Sequence, residues 1–226
     1  MLEQIAEQIP LFFGYFNMVF ILQAAGRTLG MTFVGCSVGF AFGFLIAVLR
    51  HSTLPILFLP RLLGIAYVET FRRIPFLVIL YIVLFVIEPL MPGTSLFGIA
   101  TVSVCLLSTA FLSEIIRSGL ESVAQPQIEG AKALNMTGLQ TLFMVILPQS
   151  WKVILPPAAA FVVMFIKDTS LASQLGVIEM TFAGEMLVNR GFSPVLGFGA
   201  VLVCYFAMSW PLSRLAVRLE KRLEAS

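Results

Sequence analysis

Lys167, Asp168, Thr169 and Ser170 follow one another at the end of an apolar run, Gln149 to Ile166. A cation, an anion and two hydroxyls in four residues suit the binding of a small zwitterion. An amino acid is such a cargo, because it carries both complementary charges. Charged residues at membrane depth are expensive and usually face a polar cavity or pair with one another. The competing reading is therefore an internal salt bridge at the outer rim of a span. Glu114 and Arg117 lie three apart and can pair across one helical turn; Glu114 is also a candidate for the cargo path. Glu129 and Lys132 form a third charged set in an otherwise apolar neighbourhood. None of these sets is catalytic. No nucleophile stands beside a base, and no carboxylate pair has the spacing for acid–base work. The phosphate-cradling pattern G-x-x-x-x-G-K-[ST] is absent, so this chain does not hold ATP. His51 is the single histidine and no Cys/His cluster exists, so no metal site is expected. The charged sets point to recognition and pairing and not to catalysis, and no cofactor is expected.

The elements that must position them are membrane helices. Of 226 residues, 59% are hydrophobic and 12% charged, against about 25% charged in soluble domains. The three cysteines, Cys36, Cys105 and Cys204, are odd in number and lie in apolar runs, which argues against a disulfide framework. Scattered basic residues exclude a nucleic-acid interface. The first 26 residues contain no Lys or Arg, so they lack the basic region of a secretory signal. They read as an amphipathic or interfacial helix leading into the first span. That span is charge-free from Thr28 to Leu49, long enough for a hydrocarbon core of about 30 Å. Gly35, Gly39, Gly43 and Ala47 recur every four residues along it, the stripe of small residues that lets membrane helices approach closely.

A second span follows a connection containing Pro55 and Pro60, with Ile74 to Ile87 as its charge-free part and Pro75 placed to kink it. A third runs from Leu96 to Ser113, a fourth from near Gln149 to Ile166, and a fifth from Phe192 to Leu212, with a basic tail from Arg214 to Ser226. Arg72 and Arg73 read as positive-inside anchors. Arg214, Arg218, Lys221 and Arg222 put the C-terminus in the cytoplasm, and the N-terminus, without basic residues, faces outward. Opposite sides require an odd number of spans, and five fit. The chain reads as one transmembrane domain, residues 1–226, multi-pass and surrounded by lipid.

Residues 125–149, QPQIEGAKALNMTGLQTLFMVILPQ, form its cytoplasmic loop. Pro126 suits a first helical position, which would put Glu129 in the first turn at the positive end of the dipole. Ile128, Ala131 and Leu134 are spaced to share one face. Asn135 tolerates the left-handed conformation that ends a helix. Thr137 and Gln140 have the spacing of a capping box, and the helix they start is expected to be interrupted at Pro148.

This loop resembles the EAA loop of bacterial ABC-importer permeases. Glu129, Gly130 and Ala131 stand for its EAA, and Val145, Ile146, Leu147 and Pro148 for its closing I-x-L-P. Gly130 departs from the expected Ala, and Asn135 from the expected Gly. Tyr67–Leu80, Ser113–Leu120 and Lys167–Ser173 resemble the polar-amino-acid branch of the family, in the same order, including the histidine, glutamate, glutamine and arginine types. The resemblance implies a type I permease fold, all-α, with a cytoplasmic coupling helix. It assigns Glu129, Gly130, Ala131, Asn135, Leu147 and Pro148 to coupling. Implied partners are separate ATPase subunits, a second permease, identical or paralogous, and an extracytoplasmic amino-acid-binding protein. An ion-coupled secondary transporter would instead need internal repeats, and none is visible; a membrane scaffold without a pathway is the remaining alternative.

Overall fold

A computed structural model of the chain describes residues 2–52 and 54–224; the last two residues of the basic tail, like Met1 and Thr53, lie outside the described residues. Every regular element among those described is helical. In chain order they are α1 (Leu2–Phe12), α2 (Tyr15–His51), a short 3-10 turn, α3 (Phe58–Phe71), α4 (Phe76–Leu90), α5 (Leu96–Glu121), α6 (Gln125–Ala133) and α7 (Gly138–Thr141). A π-helical turn (Leu142–Ile146), α8 (Leu147–Asp168), a 3-10 segment (Thr169–Leu175), α9 (Met180–Asn189) and α10 (Pro194–Glu224) complete the chain. Among the described residues four helices are long and apolar enough to cross a membrane, and the bent pair α3–α4, counted as one span, brings the number to five.

The spans run beyond the limits expected from charge. The first is part of α2, whose 37 residues extend about 55 Å at 1.5 Å per residue. No proline lies between Tyr15 and His51, so the helix continues through Arg27; Phe13 and Gly14 separate it from α1. The second span is not straight: α3 and α4 are bent by 116°. Pro75 caps α4 with an extended ψ of 140°, and a proline disfavours helical geometry in the residue before it. The third span continues past Ser113 to Glu121.

The chain forms two compact units. One comprises Met1–Gly35, Pro75–Cys105 and Val162–Leu212. Its core gathers Phe12, Ile21, Met180, Leu187 and Val201, with Phe12 edge-on to Phe192 at 5.3 Å. Small residues set the helix spacing in this unit. A Cβ at Gly35 would collide with Val104, and one at Gly184 with Val201. In a membrane, where lipid is as apolar as leucine, such close contact supplies much of the association energy.

The other unit comprises Cys36–Ile74, Leu106–Phe161 and Ser213–Ser226. Here a Cβ at Gly39 would collide with Ser108, and one at Gly43 with the backbone at Ser113. Its apolar cluster joins Ala47 of α2, Ile116 and Leu120 of α5, Leu142, Ile146 and Leu147 around the π turn, and Ile154 of α8. Trp151 stacks on Phe44, at 6.3 Å and 5° between ring planes, and on Phe40.

Candidate functional site

The loop between α5 and α8 is a short helix, a sealed turn and a second helix start. Ala124 caps α6, so the helix begins at Gln125 with Pro126 inside its first turn. Glu129 is consequently the fifth helical residue and stands in the second turn, not the first, as the proline alone suggests. α6 ends at Ala133 with Leu134 as its cap, and the chain leaves the helix through Asn135, whose φ is +56°. The Met136 amide donates to the Ala131 carbonyl at 3.1 Å, and the Asn135 amide to Lys132 at 2.9 Å. These are the two bonds of a Schellman stop. Two residues later Thr137 and Gln140 form a capping box: the Thr137 amide donates to Gln140 Oε1 at 2.8 Å, and the Gln140 amide to Thr137 Oγ1 at 3.3 Å. Ala131 is buried and Ile128 packs on the apolar cluster, but Leu134, spaced to share their face, is 78% exposed. It caps the helix, where the chain is already turning away.

Glu129, Gly130 and Lys132 are exposed, together with Leu134, Leu139, Phe143 and Met144. On the hairpin itself, a charged pair bordered by the uncovered side chains of Leu134 and Leu139 is suited to docking against another protein. Nothing lies within 4 Å of a Cβ built on Gly130, so the Ala expected there by family resemblance would fit without strain. The helix does not stop at Pro148 either. The π turn carries it into α8, where the Leu147 amide bonds to the Leu142 carbonyl five residues back. Leu147 is buried and Pro148 exposed.

Glu114 is the centre of a charged cluster larger than its spacing from Arg117 suggests. Arg50 Nη1, at the end of α2, lies 2.9 Å from Glu114 Oε2, and Arg72 Nη1, at the α3–α4 bend, 3.6 Å from the same oxygen. Arg117 binds the other oxygen and also pairs with Glu121. Arg72 additionally lies over the Phe111 ring at 5.8 Å, while Arg73 pairs with Glu69 at 2.6 Å across one helical turn. One carboxylate thus joins α2, the bend and α5. The Arg50 side chain is only 9% exposed, and a guanidinium that deep needs such a partner.

Lys167 and Asp168 close α8, with Lys167 exposed and Asp168 half-buried. Neighbours in sequence do not face each other on a helix. Thr169 is buried, and its hydroxyl donates to the Ile166 carbonyl at 2.7 Å, within its own turn; Ser170 is half-buried. The 3-10 segment beyond them ends at Gly176, where φ is +79°.

A carboxylate that sequence reasoning did not single out is the most buried of all. Glu179 caps α9 and is 0% exposed. Its Oε1 accepts from the Phe182 amide at 2.9 Å and its Oε2 from the Tyr205 hydroxyl, also at 2.9 Å. Thr28 of α2 accepts from the Met180 amide at 3.0 Å. Burial pushes the Glu179 carboxyl above the ordinary carboxylate value, and the bonded donors oppose that shift. No local signal marks it, because Glu is not among the residues preferred at an N-cap, and Thr28 and Tyr205 are distant in sequence.

These features define an all-α polytopic membrane protein with an exposed helical hairpin in the loop before its fourth span. Residues 39–225 match the family of binding-protein-dependent transport system inner membrane components. Over 211 residues the chain is 32% identical to the probable glutamine ABC transporter permease protein GlnP of Bacillus subtilis (strain 168), covering 91% of this chain and 94% of that one. Over 218 residues it is 28% identical to the probable glutamine permease GlnM of the same organism, covering 96% and 99%. Among solved structures, a chain from an amino acid ABC transporter with histidines superposes with a TM-score of 0.82 at 25% identity, covering 92% of this chain and 98% of that one. A chain of the MetNI methionine ABC transporter shares the fold, with a TM-score of 0.79 at 22% identity over 93% and 99%. The chain belongs to the binding-protein-dependent transport system inner membrane component family. It is a multi-pass inner-membrane permease of the ABC-importer type.

Proposed function

We propose that this permease takes up a polar amino acid delivered by an extracytoplasmic binding protein, driven by ATP hydrolysis on a separate ATPase subunit. The observation that carries the proposal is the hairpin of α6 and α7. It is sealed by a Schellman stop and a capping box, packs Ile128 into the cluster around α5 and α8, and turns Glu129, Lys132, Leu134 and Leu139 outward. A stiff element with one face in the core and one face uncovered transmits a push without absorbing it. Alternating access follows: closure of two ATPases moves the hairpins of two permeases, identical or paralogous, and the spans rock. Glu129, Gly130, Ala131, Asn135, Leu147 and Pro148 serve coupling in this reading. Lys167, Asp168 and Ser170 serve the cargo path, Thr169 stiffens the end of α8, and Glu114 with its arginines forms a further charged station. Gly35, Gly39 and Gly43 serve helix packing.

The test is reconstitution. The purified chain, a candidate ATPase subunit and a candidate extracytoplasmic binding protein are placed in vesicles, and ATP-dependent uptake of glutamine, glutamate, histidine and arginine is measured. Uptake that needs all three components supports the reading; uptake that proceeds without the ATPase sinks it. The orientation proposed, N-terminus outside and C-terminus inside, is checked with Glu3→Cys in a background lacking the three native cysteines. An impermeant thiol reagent should label it from outside, and labelling only after lysis contradicts the five-span order.

A further inference from the structure

The turn Leu142–Ile146 holds one residue more than an α-helix would. At about 100° per residue an α-helix would set Leu147 about 140° round from Leu142, away from the core. Bonding over five residues, from the Leu147 amide to the Leu142 carbonyl, stacks the two instead. Leu142, Ile146 and Leu147 are therefore buried together against Ile116, Leu120 and Ile154, while Phe143 and Met144 stay outside. Packing, not local preference, holds this geometry. Isolated π turns within α-helices are rare and concentrate at functional positions. The two ends of the turn differ. Toward α7 lies the capping box of Thr137 and Gln140. Toward α8 lies Pro148, which has no N–H with which to re-form an α-helical bond. The Gln149 side chain donates to the Val145 carbonyl at 2.8 Å, so this end is satisfied as it stands. A change of register can pass toward the hairpin and not into α8.

We infer that the π turn Leu142–Ile146 is the joint that sets the angle of the coupling hairpin on α8, shifting its register as the stiff hairpin is driven and so passing the movement on. The inference rests on the permease reading above. Its extra residue lets α7 turn about the helix axis while Leu142, Ile146 and Leu147 keep their places in the core. A continuous α-helix would lock the hairpin to a single angle.

The experiment removes the extra residue. Deleting Met144, whose side chain is exposed, leaves a continuous α-helical register, whereas Met144→Ala keeps the π turn and loses only the side chain. Both are assayed with the ATPase and binding protein in vesicles. The deletion is expected to hydrolyse ATP within about twofold of the parent and to transport about tenfold less per ATP; Met144→Ala should match the parent in both. Normal coupling in the deletion, or an equal loss in Met144→Ala, overturns the inference. If the deletion does not assemble, amide exchange of residues 142–147 in the parent complex decides. Protection there is expected to change about threefold or more between the nucleotide-free and ATP-analogue-trapped states, and equal protection overturns the inference. Failure of the parent chain to assemble with any ATPase overturns the permease reading itself, and the joint with it.

Discussion

Asn135, at φ +56°, is where the coupling hairpin is most exposed to a single substitution. Valine there has two options. It can keep the left-handed conformation, at about 1–2 kcal/mol for an L-residue with a side chain, or a little more because it is β-branched. Alternatively it can abandon that conformation and forfeit the two bonds of the Schellman stop, Met136 to Ala131 and Asn135 to Lys132, at about 0.5–1.5 kcal/mol each. The cheaper route prevails, so Asn135→Val should destabilise the hairpin by about 1–2 kcal/mol. At about 1.4 kcal/mol per decade, the open hairpin becomes about 5- to 30-fold more populated. Glycine takes the left-handed conformation without penalty, so Asn135→Gly should stay within about twofold of the parent. Hydrogen exchange at the Met136 amide measures the opening directly, and uptake in vesicles measures its consequence. Equal exchange in the Val and Gly variants would refute the reasoning, because only the left-handed backbone distinguishes them.

Other positions are expected to respond as follows. Glu129→Lys places a second cation one turn from Lys132 on the uncovered face; it should bind the ATPase weakly or hydrolyse ATP without uptake, and normal transport would exclude this face from docking. Glu114→Gln leaves Arg50, 9% exposed, without its carboxylate, and should lower stability by about 1–3 kcal/mol, read as a lower midpoint in thermal unfolding in detergent. An unchanged midpoint would show that the cluster contributes no stability. Gly184→Ala, where a Cβ would meet Val201, should cost about 1–3 kcal/mol, whereas Gly130→Ala, with open space around it, should gain up to about 1 kcal/mol of helix stability. The same unfolding assay ranks the two, and the reverse order would contradict the packing described.

What could be read from the chain alone was what depends on near neighbours. The Asn135 stop, the Thr137–Gln140 box and the Glu114–Arg117 pair each involve residues no more than five apart, and local chemistry dictates them. The membrane class followed from composition, and most spans from the positions of charges. Charge placement misjudged span ends, because a helix stops where its backbone bonds stop; α2 runs through Arg27 and α5 past Glu114. Pro126 suggested a helix one residue late, because the proline occupies the second position of α6 and not the first. Pro148 suggested a break that the π turn removes, and that turn exists because Leu142, Ile146 and Leu147 all pack into one cluster with α5. Only the tertiary structure brought Arg50 and Arg72 to Glu114, across 64 and 42 residues, and set Thr28 beside the Glu179 cap, 151 residues away. A carboxylate's spacing along the chain reveals a partner one turn distant. Its partners on other helices are chosen by which faces the bundle buries, and in a chain this apolar that choice depends on the fit of small residues against large ones.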